Sequence, residues 1–197
     1  MYPTIEWELK KRMGWALLSP FFLMEAFMNL SFYRADAEYC DFLRMADPRV
    51  PYTMENKETR PFVGVLLSIG DMRYYAPLTS PKPKHAAMKN QLDFLKINGG
   101  AWGAINFNNM IPIHISCLTP VELRILLRDA KSEIDYKNLL ANQLSWCNAN
   151  KLRILAQASK LYRLITVGKA RPELLSRCCD FKTDELQYLA YCKERGL

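Results

Sequence analysis

The run Pro61–Ile69 constrains the fold more than any other part of this sequence. It is apolar and in part β-branched, Gly70-Asp71 breaks it, and Met72–Pro77 resumes with aromatic and apolar residues. Two such runs around a short glycine-containing break predict a β-hairpin. The pattern continues downstream. Leu92–Ile97 mixes apolar and polar residues in loose alternation and Asn98-Gly99-Gly100 punctuates it, with Ala104–Phe107 and Met110–Ile113 as further short strand candidates. This is the pattern of an antiparallel sheet, not of βαβ units.

The period then changes. Glu133–Trp146 places Ile134, Leu139, Leu140 and Leu144 near helical spacing, and Leu152–Val167 does the same before Gly168 offers a C-terminal stop. Asp36–Arg44 also looks helical. Strands first and helices later predict an α+β fold. One segment reads two ways: Thr119-Pro120-Val121-Glu122 resembles a helix N-cap with its capping box, whereas Leu123–Leu127 fits a buried strand equally well.

At 197 residues and 50% hydrophobic composition, the chain suits one core, since domains run to roughly 100–200 residues. The N-terminus needs separate treatment. Lys10-Lys11-Arg12 followed by the apolar stretch Gly14–Phe27 imitates a signal peptide or membrane helix, but Pro20 and Glu25 interrupt it and the stretch falls short of the ~20 residues that span a bilayer. Met24-Glu25-Ala26 can be encoded so that the messenger reads GGAGG just before the Met28 codon. Residues 1–27 are therefore expected to be a non-native or disordered extension, and residues 28–197 a single domain. No membrane association is expected, and membrane anchoring through residues 1–27 is the weakest of the readings weighed.

The formal net charge of +7 favours polyanionic partners such as nucleic acid. The six cysteines lack paired CxxC spacing, so they read as reduced thiols in a cytoplasmic protein. With two histidines in the chain, a Cys/His zinc site would need scattered single residues; no metal and no cofactor are expected.

The stretch suited to chemistry is Ala76-Pro-Leu-Thr-Ser-Pro-Lys-Pro-Lys-His85. Two adjacent hydroxyls, two lysines and a histidine on a proline-braced loop would make a compact phosphate site, the hydroxyls donating to non-bridging oxygens and the ammonium groups neutralising growing charge. The same residues also make ordinary solvated turns.

Phe32-Tyr33, Pro61–Leu66, Tyr75-Ala-Pro-Leu-Thr-Ser-Pro-Lys82, Gly103–Asn106, Met110–Ile113, Tyr136-Lys137, Gln143 and Cys179-Asp-Phe181 resemble, in order and spacing, the ToxN/AbiQ/CptN group of type III toxins. The resemblance implies a compact, strongly bent antiparallel sheet flanked by helices and a metal-independent endoribonuclease. It also implies that the enzyme processes its own repeat RNA antitoxin and is held inactive by it, in a phage-defence role. Thr79, Ser80 and Lys82 match the family's cleavage loop, and Tyr39 falls where the family places a functional tyrosine. Tyr52, Lys84 and His85 are expected to contact RNA, Tyr52 as a looser match. Tyr39 could instead pack in the core, and His85 could be an exposed loop residue.

The implied chemistry is attack of a ribose 2′-OH on its own phosphodiester, leaving a 2′,3′-cyclic phosphate. Lys82 would stabilise charge and Thr79 and Ser80 would donate hydrogen bonds. The general base is unassigned, because serine, threonine and an unperturbed lysine are poor bases at neutral pH. Cellular or phage RNA is the expected substrate, and a closed RNA–protein assembly the expected oligomer. Lys160 and Arg163, within the basic run Lys151–Arg171, are expected to grip the antitoxin, although a charge run is often a solvated face. The alternative is a noncatalytic RNA-binding protein that uses the same basic groups only to hold phosphates.

Overall fold

A computed structural model describes residues 29–51 and 61–197. The expected hairpin pairs β2 (Phe62–Ile69) with β3 (Met72–Thr79), with Ile69 opposite Met72 so that Gly70 and Asp71 alone make the turn. Gly70 sits at φ +58°, in the left-handed region where glycine carries no steric cost. Around this hairpin a seven-stranded sheet grows, entirely antiparallel. β1 (Ser31–Ala35) lies outside β2 and β7 (Leu118–Pro120) outside β1, while β5 (Ala104–Asn106) and then β4 (Phe94–Lys96) extend the other side of β3. The short β6 (Ile111–Pro112) also pairs with β3. The fold is α+β, as expected.

The β2–β3 register shifts between Val63 and Leu67, and such an irregularity bends the ladder. Gly64 lies in that stretch. A Cβ there would stand 1.9 Å from Cδ1 of Tyr75, so the absence of a side chain is what lets the buried Tyr75 ring pack against this strand.

Among the described residues six α-helices accompany the sheet: α1 (Ala37–Ala46), α2 (Pro83–Ala87), α3 (Lys131–Ala149), α4 (Lys151–Thr166), α5 (Pro172–Leu175) and α6 (Phe181–Arg195). Asp36 caps α1 by accepting the Tyr39 N–H at 2.9 Å. α4 buries Ile154, Leu155, Ala158, Leu161 and Tyr162, a stripe at helical spacing that packs on β2. Its basic residues fall elsewhere around the helix. One buried cluster runs from Leu30 to Cys192.

Three departures from the expectations bear on the packing. β1 was not foreseen, and the 118–127 segment is neither of its two readings. Thr119 and Pro120 pair with Arg34 and Tyr33 as edge strand β7, a place where a proline's missing N–H costs nothing, so no helix cap forms there. Residues 121–126 have no regular structure, and the next helix begins at Lys131. The third is α6, whose buried face is Phe181, Asp184, Glu185, Tyr188, Tyr191 and Cys192. The spacing is helical, but two carboxylates interrupt the apolar stripe. Glu185 is satisfied by the hydroxyls of Tyr74 at 3.0 Å and Tyr162 at 2.5 Å and by Lys182 at 2.8 Å. Asp184 is not: burial, with Asp47 and Asp180 nearby, pushes its carboxyl up to about 8.

All six cysteines are buried and unbridged, and burial pushes the Cys40, Cys147 and Cys178 thiols up to about 12. Among the described residues no helix is long and apolar enough to cross a membrane. The expectations for residues 1–27 and for Tyr52 lie outside the described residues.

Candidate functional site

β3 ends at Thr79, and the chain then turns through Ser80 and Pro81 into α2. Thr79 is pinned by pairing with Ala104 and is 8% exposed; its hydroxyl makes only a long 3.5 Å contact to the Ser80 carbonyl. Ser80, Lys82 and Lys84 are exposed. Lys82 takes the N-cap position of α2, with Pro83 in the first turn, where its fixed φ suits the start of a helix. Among the described residues neither Lys82 nor Lys84 has an ion-pair partner. The structure therefore brings Thr79, Ser80, Lys82 and Lys84 into one basic, hydroxyl-bearing loop.

A second loop forms the facing wall. Residues Asn98–Ala101 and the segment Pro81–Ala86 flank a shallow, open depression of about 380 Å³ that Lys82 lines. Glycines make this approach possible. Gly100, at φ +101°, would place a Cβ 2.9 Å from the His85 carbonyl oxygen, and Gly103, at φ +88°, one 2.0 Å from the Thr79 carbonyl oxygen. The buried Gln143 of α3 donates to the Trp102 carbonyl at 2.6 Å, holding the same turn from behind. Gln143, Gly100 and Gly103 are the site-building residues that reading the loop by itself misses. Their signal is positional, since they support the loop without carrying reactive groups.

Two expectations are corrected. His85 is not an RNA-contacting surface group: it is 2% exposed, its ring meets Phe94 edge-on at 5.6 Å, and Nδ1 has no hydrogen-bond partner among the described residues. Burial, then the charges of Lys82 and Lys84, hold its pKa below the usual histidine value, so it is a neutral ring under the loop. The short α2 turns it inward because only one face of that helix can meet the sheet. Tyr39 is not beside the loop either. It is fully buried, it meets Tyr191 edge-on at 4.9 Å, and its hydroxyl donates to the Pro112 carbonyl at 2.5 Å. Burial raises its pKa far above the ordinary phenol value, so the hydroxyl stays protonated on its carbonyl acceptor. The core alternative for Tyr39 is the one the structure adopts.

Lys160 and Arg163 are exposed on α4, away from its buried stripe. Gln157 on the same helix donates to the carbonyls of Gln91 and Leu92 at 2.8 and 3.0 Å, which ties α4 to the segment leaving α2. A separate cavity, about 370 Å³, lies near the hairpin turn between Tyr33, Arg73, His114 and Tyr188; none of the expected site residues lines it.

The sequence and the fold have counterparts. Residues 31–189 match the family model for toxin ToxN of type III toxin–antitoxin systems. Endoribonuclease ToxN of Bacillus thuringiensis subsp. kurstaki is 30% identical over 171 residues, 85% of this chain and 86% of that one. Endoribonuclease AbiQ of Lactococcus lactis subsp. lactis is 30% identical over 193 residues, 90% of this chain and 98% of that one. Among solved structures, AbiQ, described as a lactococcal anti-phage endoribonuclease, superposes with a TM-score of 0.71 at 28% identity, over 84% of this chain and 99% of that one. A type III toxin selectively inhibited by a non-coding RNA pseudoknot superposes with a TM-score of 0.69 at 29% identity, over 83% and 98%. With its sheet, its helices and most of its length matched, the chain belongs to the ToxN family of type III toxin–antitoxin toxins.

Proposed function

We propose that the protein is an endoribonuclease toxin that cleaves RNA at the Thr79–Lys82 loop without a catalytic metal ion. The ribose 2′-oxygen attacks the adjacent phosphorus, the bond to the 5′-oxygen breaks, and a 2′,3′-cyclic phosphate and a 5′-hydroxyl result. Because the nucleophile belongs to the substrate, the protein has to align attack with departure and stabilise the added charge. The Lys82 ammonium meets the non-bridging oxygens, and Ser80 with the largely buried Thr79 donates hydrogen bonds to them. The 2′ proton leaves to solvent and another returns to the 5′-oxygen, for the one imidazole of the loop is buried.

The observation that carries this reading is an exposed lysine without an ion-pair partner, set directly behind two hydroxyls on a loop that a facing backbone holds in place. A bare phosphate-gripping surface would not need that clamp. The natural inhibitor is then a folded repeat RNA that the enzyme itself releases by cleavage and retains as bound product, in a closed RNA–protein assembly in the cytoplasm, and the biological role is phage defence. Incubation of purified protein with end-labelled RNA in EDTA tests the proposal. Discrete fragments ending in 2′,3′-cyclic phosphate are expected, whereas intact RNA of retarded mobility would make the protein a binding module.

A further inference from the structure

We propose that Asp47, Cys179 and Asp184 form a buried site for one divalent cation of zinc's character, which ties the end of α1 to the start of α6. Asp47 is the C-cap of α1, and Cys179 and Asp184 bracket the N-cap of α6. One carboxylate oxygen from each aspartate and the Cys179 sulfur lie within 4.8 Å of one another. Tetrahedral ligands bound at about 2.0–2.3 Å stand about 3.3–3.8 Å apart, so atoms at most 4.8 Å apart need only a short inward rotation of the side chains to close on a cation. All three side chains are buried, Asp184 completely.

The polar inventory of the cluster singles out Asp184. Asp47 is satisfied: Oδ1 accepts from the Arg49 N–H at 3.1 Å and from Arg49 Nε at 2.7 Å, and Oδ2 accepts the Asp180 N–H at 2.6 Å. Asn109 Nδ2 reaches Cys179 Sγ at 4.0 Å and the Arg49 carbonyl at 2.8 Å. Asp180 caps α6 through the Thr183 N–H, and Glu185 is taken up by Tyr74, Tyr162 and Lys182. Asp184 alone has two fully buried oxygens without a hydrogen-bond partner among the described residues. The guanidinium at the cluster is hydrogen-bonded to Asp47, so an ionised Asp184 would be a second buried charge without a hydrogen-bond partner among the described residues, which is costly unless something pairs with it. A cation supplies that partner and uses the open lone pairs of Asp47 as well.

The donor set selects the metal. Magnesium and calcium take oxygen ligands, whereas one thiolate with two carboxylates suits zinc. Binding releases the Cys179 proton, and the fourth position goes to a water or a main-chain oxygen. The role is structural. Asp47 and the turn at Asp180 stand 133 residues apart in the chain, so a metal here closes a very long loop and stabilises the fold through its binding energy. No residue of the Thr79–Lys82 loop belongs to the cluster, so the two readings have separate readouts: the ends of the RNA fragments test the loop, and bound metal with the melting temperature tests this site.

The competing state is a protonated Asp184 carboxyl, and Asp184→Asn separates the two because the amide is nearly isosteric with that neutral acid. Full-length protein, loaded with zinc and exhaustively dialysed, is assayed for metal by elemental analysis. Stoichiometric zinc is expected, lost in Asp184→Asn together with a fall in melting temperature. A metal-free wild-type chain, or zinc retained undiminished by Asp184→Asn, overturns the proposal. Should Asp184→Asn fail to fold, cobalt substitution of the wild-type chain decides: a thiolate-to-cobalt charge-transfer band, bleached by a thiol-reactive mercurial, supports the site, and its absence rejects it.

Discussion

Gly103 runs so close to Thr79 that a Cβ on it would stand 2.0 Å from the Thr79 carbonyl oxygen. Main chain meets main chain here, one residue before β5 pairs with the end of β3. No rotamer can relieve such an overlap, and the φ of +88° is itself unfavourable for alanine. Gly103→Ala is therefore expected to cost about 3 kcal/mol, combining left-handed strain with a forced backbone shift, and to displace the cleavage loop. Urea unfolding together with an RNA cleavage assay checks both effects; a variant of wild-type stability and rate would show that the clamp does not matter.

Lys82→Ala is expected to leave folding stability within about 0.5 kcal/mol of wild type, as for exposed groups whose loss opens no cavity, and to reduce cleavage by at least a hundredfold. Lys84→Ala, on the same loop but one position beyond the helix start, should weaken substrate binding more than turnover. Growth arrest on expressing Lys82→Ala at wild-type levels would remove Lys82 from the mechanism.

His85 predicts a pH dependence. Its folded-state pKa lies below the unfolded value near 6.5 because burial, Lys82 and Lys84 disfavour the imidazolium. Below that value the unfolded chain binds the extra proton and the folded one does not. The stability His85 contributes is thus fully present above about pH 6.5 and is lost as pH falls toward the lower folded value, at no more than about 1.4 kcal/mol per pH unit. His85→Phe should flatten this acid-side loss between pH 7 and 5. Parallel stability–pH curves for the two proteins would show that the ring stays solvated.

Tyr39→Phe separates core from site. It removes a buried donor to the Pro112 carbonyl and should destabilise by about 1–2 kcal/mol, with the cleavage rate per folded molecule unchanged at neutral pH. A large fall in rate at wild-type stability would return Tyr39 to the chemistry.

The hairpin was legible because both its strands announce themselves: an apolar run, a glycine at the turn and a second apolar run. Two of the helices, α3 and α4, were legible from the spacing of their leucines. α6 was not, because Asp184 and Glu185 occupy positions where the pattern asks for apolar residues, and only the tertiary partners of Glu185 explain one of them. β1 is five residues long and borrows its order from β2 and β7. At the site, Thr79, Ser80, Lys82 and Lys84 could be picked out because they carry reactive or charged groups. The inward turn of His85 and the burial of Tyr39 depend on which face of a helix meets the sheet, and residue type alone leaves that open for a tyrosine or a histidine.

The last prediction concerns the surface that would hold an inhibitory RNA. α4 buries Ile154, Leu155, Ala158, Leu161 and Tyr162 and exposes Arg153, Lys160 and Arg163, so its exposed charges are all basic. Gln157 ties the same helix to the segment leaving α2. Contacts to phosphate release counterions, and each one lost should shallow the dependence of log affinity on log salt by about 0.7 to 0.9. Lys160 and Arg163 replaced together by alanine should thus weaken antitoxin binding and flatten its salt slope by one to two contacts' worth. Cleavage of a short generic RNA, which spans only the loop, should change little. Equal losses in both assays would mean that the double variant disturbs the active loop through α4, and an unchanged antitoxin affinity would mean that the RNA leaves the enzyme by another face.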